Sequence, residues 1–311
     1  MRPQFSIIFF TTLAGMAQGL LFFLALSNLY SQATPNAFLT NLALPVALVL
    51  LALSLAASFF HLGHPERAWR AAMMWRTSWL SREVIALPAL MAVTAAIYFY
   101  AGVNDVPQWL WLALLFTTLA LWVCTAKIYQ CIRFIQEWSH PSTLTNFILL
   151  GLTSGLILLE LLIALWGDSA AQIIDTPLSI VAFLLLFLSF NLKLWIWRRN
   201  RDLKPKSNLS TATGIKGSNI RQTSMGLMGG SFNTREFFHH QTDRVIANLR
   251  KIILLCAYII PMILMAYTIT TPSILMIALA LLINYLGLLA ERWMFFAEAN
   301  HPQNLYYQRV S

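Results

Sequence analysis

The run FSIIFFTTLAGMAQGLLFFLALSNLY, residues 5–30, contains no charged side chain. A segment of this kind reads as a helix that crosses a bilayer, because about 20 apolar residues in an α-helix cover roughly 30 Å of hydrocarbon. It is too long for the apolar core of a cleaved signal peptide, and a second apolar run follows it. Further runs lie near residues 38–61, 83–101, 109–128, 147–166, 178–197, 252–267 and 274–296. The seventh is short and carries Pro261, which a membrane helix tolerates when a neighbour satisfies the carbonyl that proline frees. The expected fold is therefore all-α: an integral membrane bundle of eight transmembrane helices.

Composition agrees. The 311 residues are 58% hydrophobic and 11% charged, against about 45–50% and about 25% in soluble domains. Trp75, Trp79, Trp109, Trp111, Trp138, Trp166, Trp195, Trp197 and Trp293 sit at or near run ends, where an amphipathic ring lies well among headgroups.

Charge gives the topology. With eight spans, all 21 Lys and Arg fall on one side, and the opposite loops hold only Asp105, Asp168 and Asp175. The positive-inside rule then puts both termini on the basic, cytoplasmic side of a bacterial inner membrane. Seven spans would split the basic set. The net charge of +9 is accounted for by this topology and needs no nucleic-acid partner.

The chain is expected to form a single anchor domain, 1–311, with a basic loop, 198–250, inserted between the sixth and seventh helices. Residues 201–219 of that loop look flexible by composition. Residues 220–240, IRQTSMGLMGGSFNTREFFHH, mix Met and Phe with Arg and Gly, which suits docking on a protein surface through Arg221, Arg235, Phe237 and Phe238. Gly226, Gly229 and Gly230 lack the Gly-Lys-Ser/Thr sequel of a phosphate loop.

Cys124, Cys131 and Cys256 contain no Cys-x-x-Cys pair, so thiolates alone build neither a zinc site nor an iron–sulfur cluster here. Of the histidines at 61, 64, 140, 239, 240 and 301, only His61 falls at a helix end. A haem between two axial histidines at membrane depth is therefore not expected. No metal ligand set is expected in this chain.

The densest polar cluster near the membrane is HLGHPERAWRAAMMWRTSWLSRE, residues 61–83. His61 closes one run and Glu83 opens the next. If the two helices are neighbours, imidazole and carboxylate can share a shallow pocket in which His61 bonds a quinone oxygen and Glu83 relays its proton. Equally, His61 could cap a helix C-terminus and Glu83 could compensate a helix dipole. His64, Arg67 and Arg82 are candidates for a supporting role, whereas Arg67, Arg70 and Arg82 also read as headgroup or topology anchors. Glu160, within the fifth run, should face the bundle in a packing network or proton path. Lys193 can snorkel to the interface, and Glu291 and Arg292 read as interfacial. The tail at residues 301–307, HPQNLYY, is suited to docking.

The 61–83 segment resembles the second-to-third helix connection of the dimethyl sulfoxide reductase anchor subunit family: His-Leu-Gly, then Pro and Arg-Ala, then Ser-x-Glu. Gly287, Arg292 and Phe295 add a looser match. The resemblance implies an anchor with no cofactor of its own and no catalytic residue for the terminal substrate. Such an anchor exchanges electrons and protons between menaquinol or ubiquinol and an iron–sulfur subunit. This partner connects it to a catalytic subunit with molybdopterin guanine dinucleotide. The family's quinol-site histidine and glutamate fall on His61 and Glu83. The basic character of the 61–83 connection points to a cytoplasm-facing relative, as in sulfite-oxidising quinone reductases of the same plan, so the direction of electron flow stays open. A metal-free transporter is the alternative from another class.

Overall fold

The computed structural model describes residues 3–30, 34–60, 64–167, 178–206, 208–217, 219–221, 223 and 239–302, and the regular elements among them are all helical. Eight helices are long and apolar enough to span a membrane: α1 (Phe5–Tyr30), α2 (Asn36–Phe59), α3 (Trp79–Ala101), α4 (Gln108–Gln130), α5 (Ser142–Trp166), α6 (Leu178–Arg201), α7 (Asp243–Thr270) and α8 (Ile274–Ala297). A 3-10 segment, Pro65–Met74, joins α2 to α3.

The expected helices are all present, and the largest boundary difference is at α7. That helix starts at Asp243, well before residue 252, with Thr242 as N-cap accepting from the Val245 amide. Hydropathy misses its first turns because they are amphipathic. Ile246, Leu249 and Ile253 pack with Leu288 and Met294 of α8, and Arg250 pairs with Glu298 at 3.2 Å. The composition of 201–219 also misleads in part. Leu209–Thr213 forms a short helix, capped by Asn208 and Thr211 reciprocally and ended by Gly214 at φ 72°.

Proline leaves a local signature twice. Wider π-helical turns, Leu39–Ala43 and Leu254–Ile259, precede Pro45 and Pro261. Proline has no N–H to give to the carbonyl four residues back. For Pro261 that carbonyl belongs to Ala257, and Asn284 Nδ2 of α8 donates to it at 2.7 Å.

The helices pack as two matching halves. In each half the first helix touches the second and fourth, the second touches the third, and the third touches the fourth; α1 meets α5 at the centre, α4 meets α5, and α8 meets α1. The crossing of α1 and α5 is close because each carries Gly-x-x-x-Gly, Gly15 and Gly19 on one, Gly151 and Gly155 on the other. Small residues let membrane helices approach until backbones touch. No repeat shows in the residues themselves, since the shared feature is a contact scheme.

One end of the bundle gathers the basic segments. Ile8, Ile135, Trp138, Phe296 and Ala299 cluster there, Trp138 Nε1 donates to the Phe295 carbonyl at 2.9 Å, and Gln136 Nε2 donates to the Lys204 carbonyl at 3.1 Å.

Candidate functional site

Glu83 lies in the second turn of α3, near the basic end. Its helix begins at Ser78, whose hydroxyl accepts from the Ser81 amide at 3.3 Å. Arg82 turns outward and back: Nε and Nη2 donate to the carbonyls of Trp75 and Arg76 at 2.9 and 2.8 Å, and the guanidinium lies 4.2 Å from the Trp79 ring centre. That clamp holds the end of the α2–α3 connection on the first turn of α3 and leaves the next position facing inward. Glu83 is accordingly buried, and its carboxylate accepts from the Thr125 hydroxyl of α4.

The α2–α3 neighbourhood that the sequence reading requires is present. α2 ends at Phe59, and His61 lies outside the described residues. His64 is exposed and contacts Glu66 through Nδ1 at 3.0 Å, while Arg67 approaches the same carboxylate at 3.7 Å. Exposed groups of this kind contribute little, about 0–1 kcal/mol. Arg82 serves the clamp, so none of these three is bonded to Glu83. Of the docking residues, Arg221 is exposed; Arg235, Phe237 and Phe238 lie outside the described residues.

A second polar centre escaped sequence reading. Lys193 of α6 does not snorkel: its Nζ is 2.8 Å from Glu291 Oε1, with side chains 2% and 0% exposed. Glu291 and Arg292 are likewise buried within the bundle, 0% and 3% exposed. Asn146 Nδ2 of α5 donates to Glu291 Oε1 at 3.0 Å, Arg292 Nε lies 3.4 Å from Glu291 Oε2, and the Arg292 guanidinium sits 3.6 Å from the Phe147 ring centre. One acid between two cations keeps each charge from being buried alone, which would be prohibitive. Spacing gave no signal, since Lys193 and Glu291 each lie about two turns from a helix end, where a long side chain can still reach the interface.

Three spaces surround this centre. An inner cavity of about 20 Å³, room for about one water, is lined by Thr11, Thr12, Trp122, Thr125, Ser154 and Arg292 among others. A second of similar size is lined by Glu137, Asn146, Lys193, Asn200 and Glu298 among others. A cleft of about 520 Å³ at the basic end shares Glu137, Asn200 and Glu298 with it. Burial pushes the Glu298 carboxyl above its ordinary range, against the pull of Lys193 and Arg250. At the same end, burial and the Arg199 charge push His140 down.

Glu160 accepts from the Ser179 hydroxyl, which in turn receives Thr268 at 2.9 Å; these bonds join α5, α6 and α7. Among the described residues no three His, Cys, Asp or Glu side chains assemble as a metal site.

Residues 1–298 match the family described as DMSO reductase anchor subunit (DmsC). The chain is also 43% identical, over 330 aligned residues covering all of both chains, to a sulfite dehydrogenase subunit of Allochromatium vinosum.

Proposed function

The chain belongs to the DMSO reductase anchor subunit family, and from that premise we propose that it is the quinone-reactive membrane anchor of a sulfite-oxidising molybdoenzyme complex. In this reading the whole chain, 1–311, is one anchor domain in a bacterial inner membrane, with its basic end and the 198–250 loop in the cytoplasm. The loop receives an iron–sulfur subunit through Arg221, Arg235, Phe237 and Phe238. This partner passes on electrons from a catalytic subunit that holds molybdopterin guanine dinucleotide. Those groups belong to the partners, and the quinone is a substrate.

The observation that carries the reading is the buried Glu83 carboxylate, bonded by Thr125 beside the α2–α3 connection. Quinone reduction takes up two protons with its two electrons. A buried acid at the basic end can hand a proton to a quinone oxygen held by His61. Electrons enter from sulfite oxidation at the catalytic subunit, so quinone is the acceptor. The likeness to a sulfite dehydrogenase subunit supports this direction over a dimethyl sulfoxide-reducing complex. The network around Glu160 supports helix packing there and lends nothing to a transporter.

The test uses the complex that co-purifies with this chain. It should contain molybdenum and iron and couple sulfite to reduction of a short-chain quinone. His61→Ala and Glu83→Gln should each lower that rate by about 100-fold or more while sulfite oxidation with a dye that accepts electrons at the partner subunits is kept. Unchanged quinone reduction in both variants rejects the site.

A further inference from the structure

At the basic end the second half opens where α6 and α7 separate. From Leu254 onward α7 packs on both α6 and α8, whereas its first part, Asp243–Ile253, packs mainly on α8. The cleft of about 520 Å³ occupies the gap, well within the range of about 300–1,000 Å³ for small-molecule sites. α6 presents Leu194, Trp197, Arg198 and Arg201 to it, and α7 presents Asp243, Ile246, Ala247 and Arg250. Both sets have the i, i+3, i+4, i+7 spacing of one helix stripe. Met294, Ala297 and Glu298 of α8 close the third side. Exposed apolar side chains continue along both helices, Leu188 and Trp195 on α6 and Val245 and Ile252 on α7, so lipid surrounds the opening.

The charges of the cleft divide into engaged and open groups. Arg250 pairs with Glu298 at 3.2 Å and covers the Trp197 ring, and Glu137 accepts from Asn300 Nδ2 at 3.0 Å. Arg198 is exposed and has no hydrogen bond or ion pair among the described residues. Arg201, one turn further on, only approaches Asp202 at 4.0 Å. Asp243, in the first turn of α7, is likewise open. Trp195 and Trp197 mark the headgroup boundary on α6, so the two open guanidinium groups lie at the level of lipid phosphates. The three arginines of the cleft are matched by Glu137, Asp243 and Glu298. A head that carries both signs fits this balance better than a plain anion.

We propose that this cleft binds the head of a phospholipid with a primary ammonium group, of the phosphatidylethanolamine type. Arg198 and Arg201 receive the phosphodiester, Asp243 receives the ammonium, and Leu194, Ile246 and Met294 take the glycerol and the first chain carbons. The planar fork of arginine suits phosphate oxygens, and basic pockets between membrane helices on the cytoplasmic side are places where lipid heads bind. The bound lipid fills the gap at which α6 and α7 part, beside both ends of the 198–250 loop. The cleft lies in the half of the bundle that does not carry Glu83, so the lipid site and the quinone site stand or fall separately.

The test gives the full chain, stripped of lipid in mild detergent, phosphatidylethanolamine, phosphatidylglycerol or inorganic phosphate, and follows retained lipid by native mass spectrometry together with Tm. Phosphatidylethanolamine should be held on the order of tenfold more tightly than phosphatidylglycerol, the worth of about one hydrogen bond to a charged group, and should raise Tm. Inorganic phosphate should not raise it. Arg198→Gln combined with Arg201→Gln should lose the lipid, whereas Arg133→Gln, at an exposed position outside the cleft, should keep it. Asp243→Asn should bring the two lipids level. Undiminished retention in the double variant, equal loss in Arg133→Gln, or a preference for phosphatidylglycerol in the unsubstituted chain overturns the proposal. Stabilisation by inorganic phosphate equal to that by the lipid assigns the cleft to free phosphate and overturns it too. If the double variant melts early even without lipid, Asp243→Asn decides, and a preference that persists there rejects the site.

Discussion

Alanine at Gly19 or Gly155 tests the central crossing most sharply. A Cβ at Gly155 would sit 2.3 Å from the Gly19 carbonyl carbon and the Leu20 nitrogen, and one at Gly19 would sit 2.0 Å from the Gly151 carbonyl oxygen. All of these neighbours are backbone, so no side chain can swing aside. Restoring a contact of about 3.5 Å needs α1 and α5 to part by about 1.2–1.5 Å, and a gap of even about 1 Å forfeits up to about half of each lining contact. Lipid supplies no hydrophobic force to close the gap, because packing itself holds membrane helices together. The cost should reach the upper end for overpacking, about 3 kcal/mol, or a fall in Tm of about 6–12 °C.

Gly15 provides the internal control. It belongs to the same Gly-x-x-x-Gly, yet a Cβ there would meet its nearest neighbour, Gly151 Cα, at 3.8 Å, an ordinary contact. Full-length protein in mild detergent, heated and followed by size-exclusion chromatography, should show Gly19→Ala and Gly155→Ala melting early and Gly15→Ala close to the original. Equal Tm values for all three, or equal losses, would refute the crossing.

Replacing Glu291 with Leu leaves Lys193 and Arg292 buried with no counter-charge between them, and breaking such a pair costs about 3–5 kcal/mol; an unchanged Tm in the same assay would show that the ion pairs do not form. Cys131 is the exposed cysteine at the basic end, whereas Cys124 is buried and Cys256 partly so. A membrane-impermeant maleimide should therefore modify Cys131 in inverted vesicles and leave it untouched in intact spheroplasts, and the opposite pattern would reverse the topology.

Much of the architecture was legible in the chain because a bilayer imposes a one-dimensional rule. Apolar length sets the helices and basic residues mark one set of loops; hence α1 was readable to both ends, from Phe5 to Tyr30. α7 was readable only in its apolar part, since its first turns bury a single stripe against α8 and look soluble to any window average. Glu83 was legible as a candidate because it stands beside a polar connection, and the structure adds its burial and its bond to Thr125.

The Lys193–Glu291–Arg292 centre was not legible. Each residue, seen alone, lies close enough to a helix end to reach water. Which way a side chain points depends on the rotation of its helix and on the identity of the neighbour, and those are settled only when α5, α6 and α8 pack. The same holds for the two matching halves. The sequence by itself determined eight spans and the set of loops that carries the basic residues, because transfer into lipid acts on each segment independently. Only the tertiary structure decided that α1 crosses α5 at paired glycines, and that three buried charges face one another across the second half. Those facts arise from close contacts between segments remote in the chain, where a shift of about 1 Å changes the energy and residue type alone does not fix the partner.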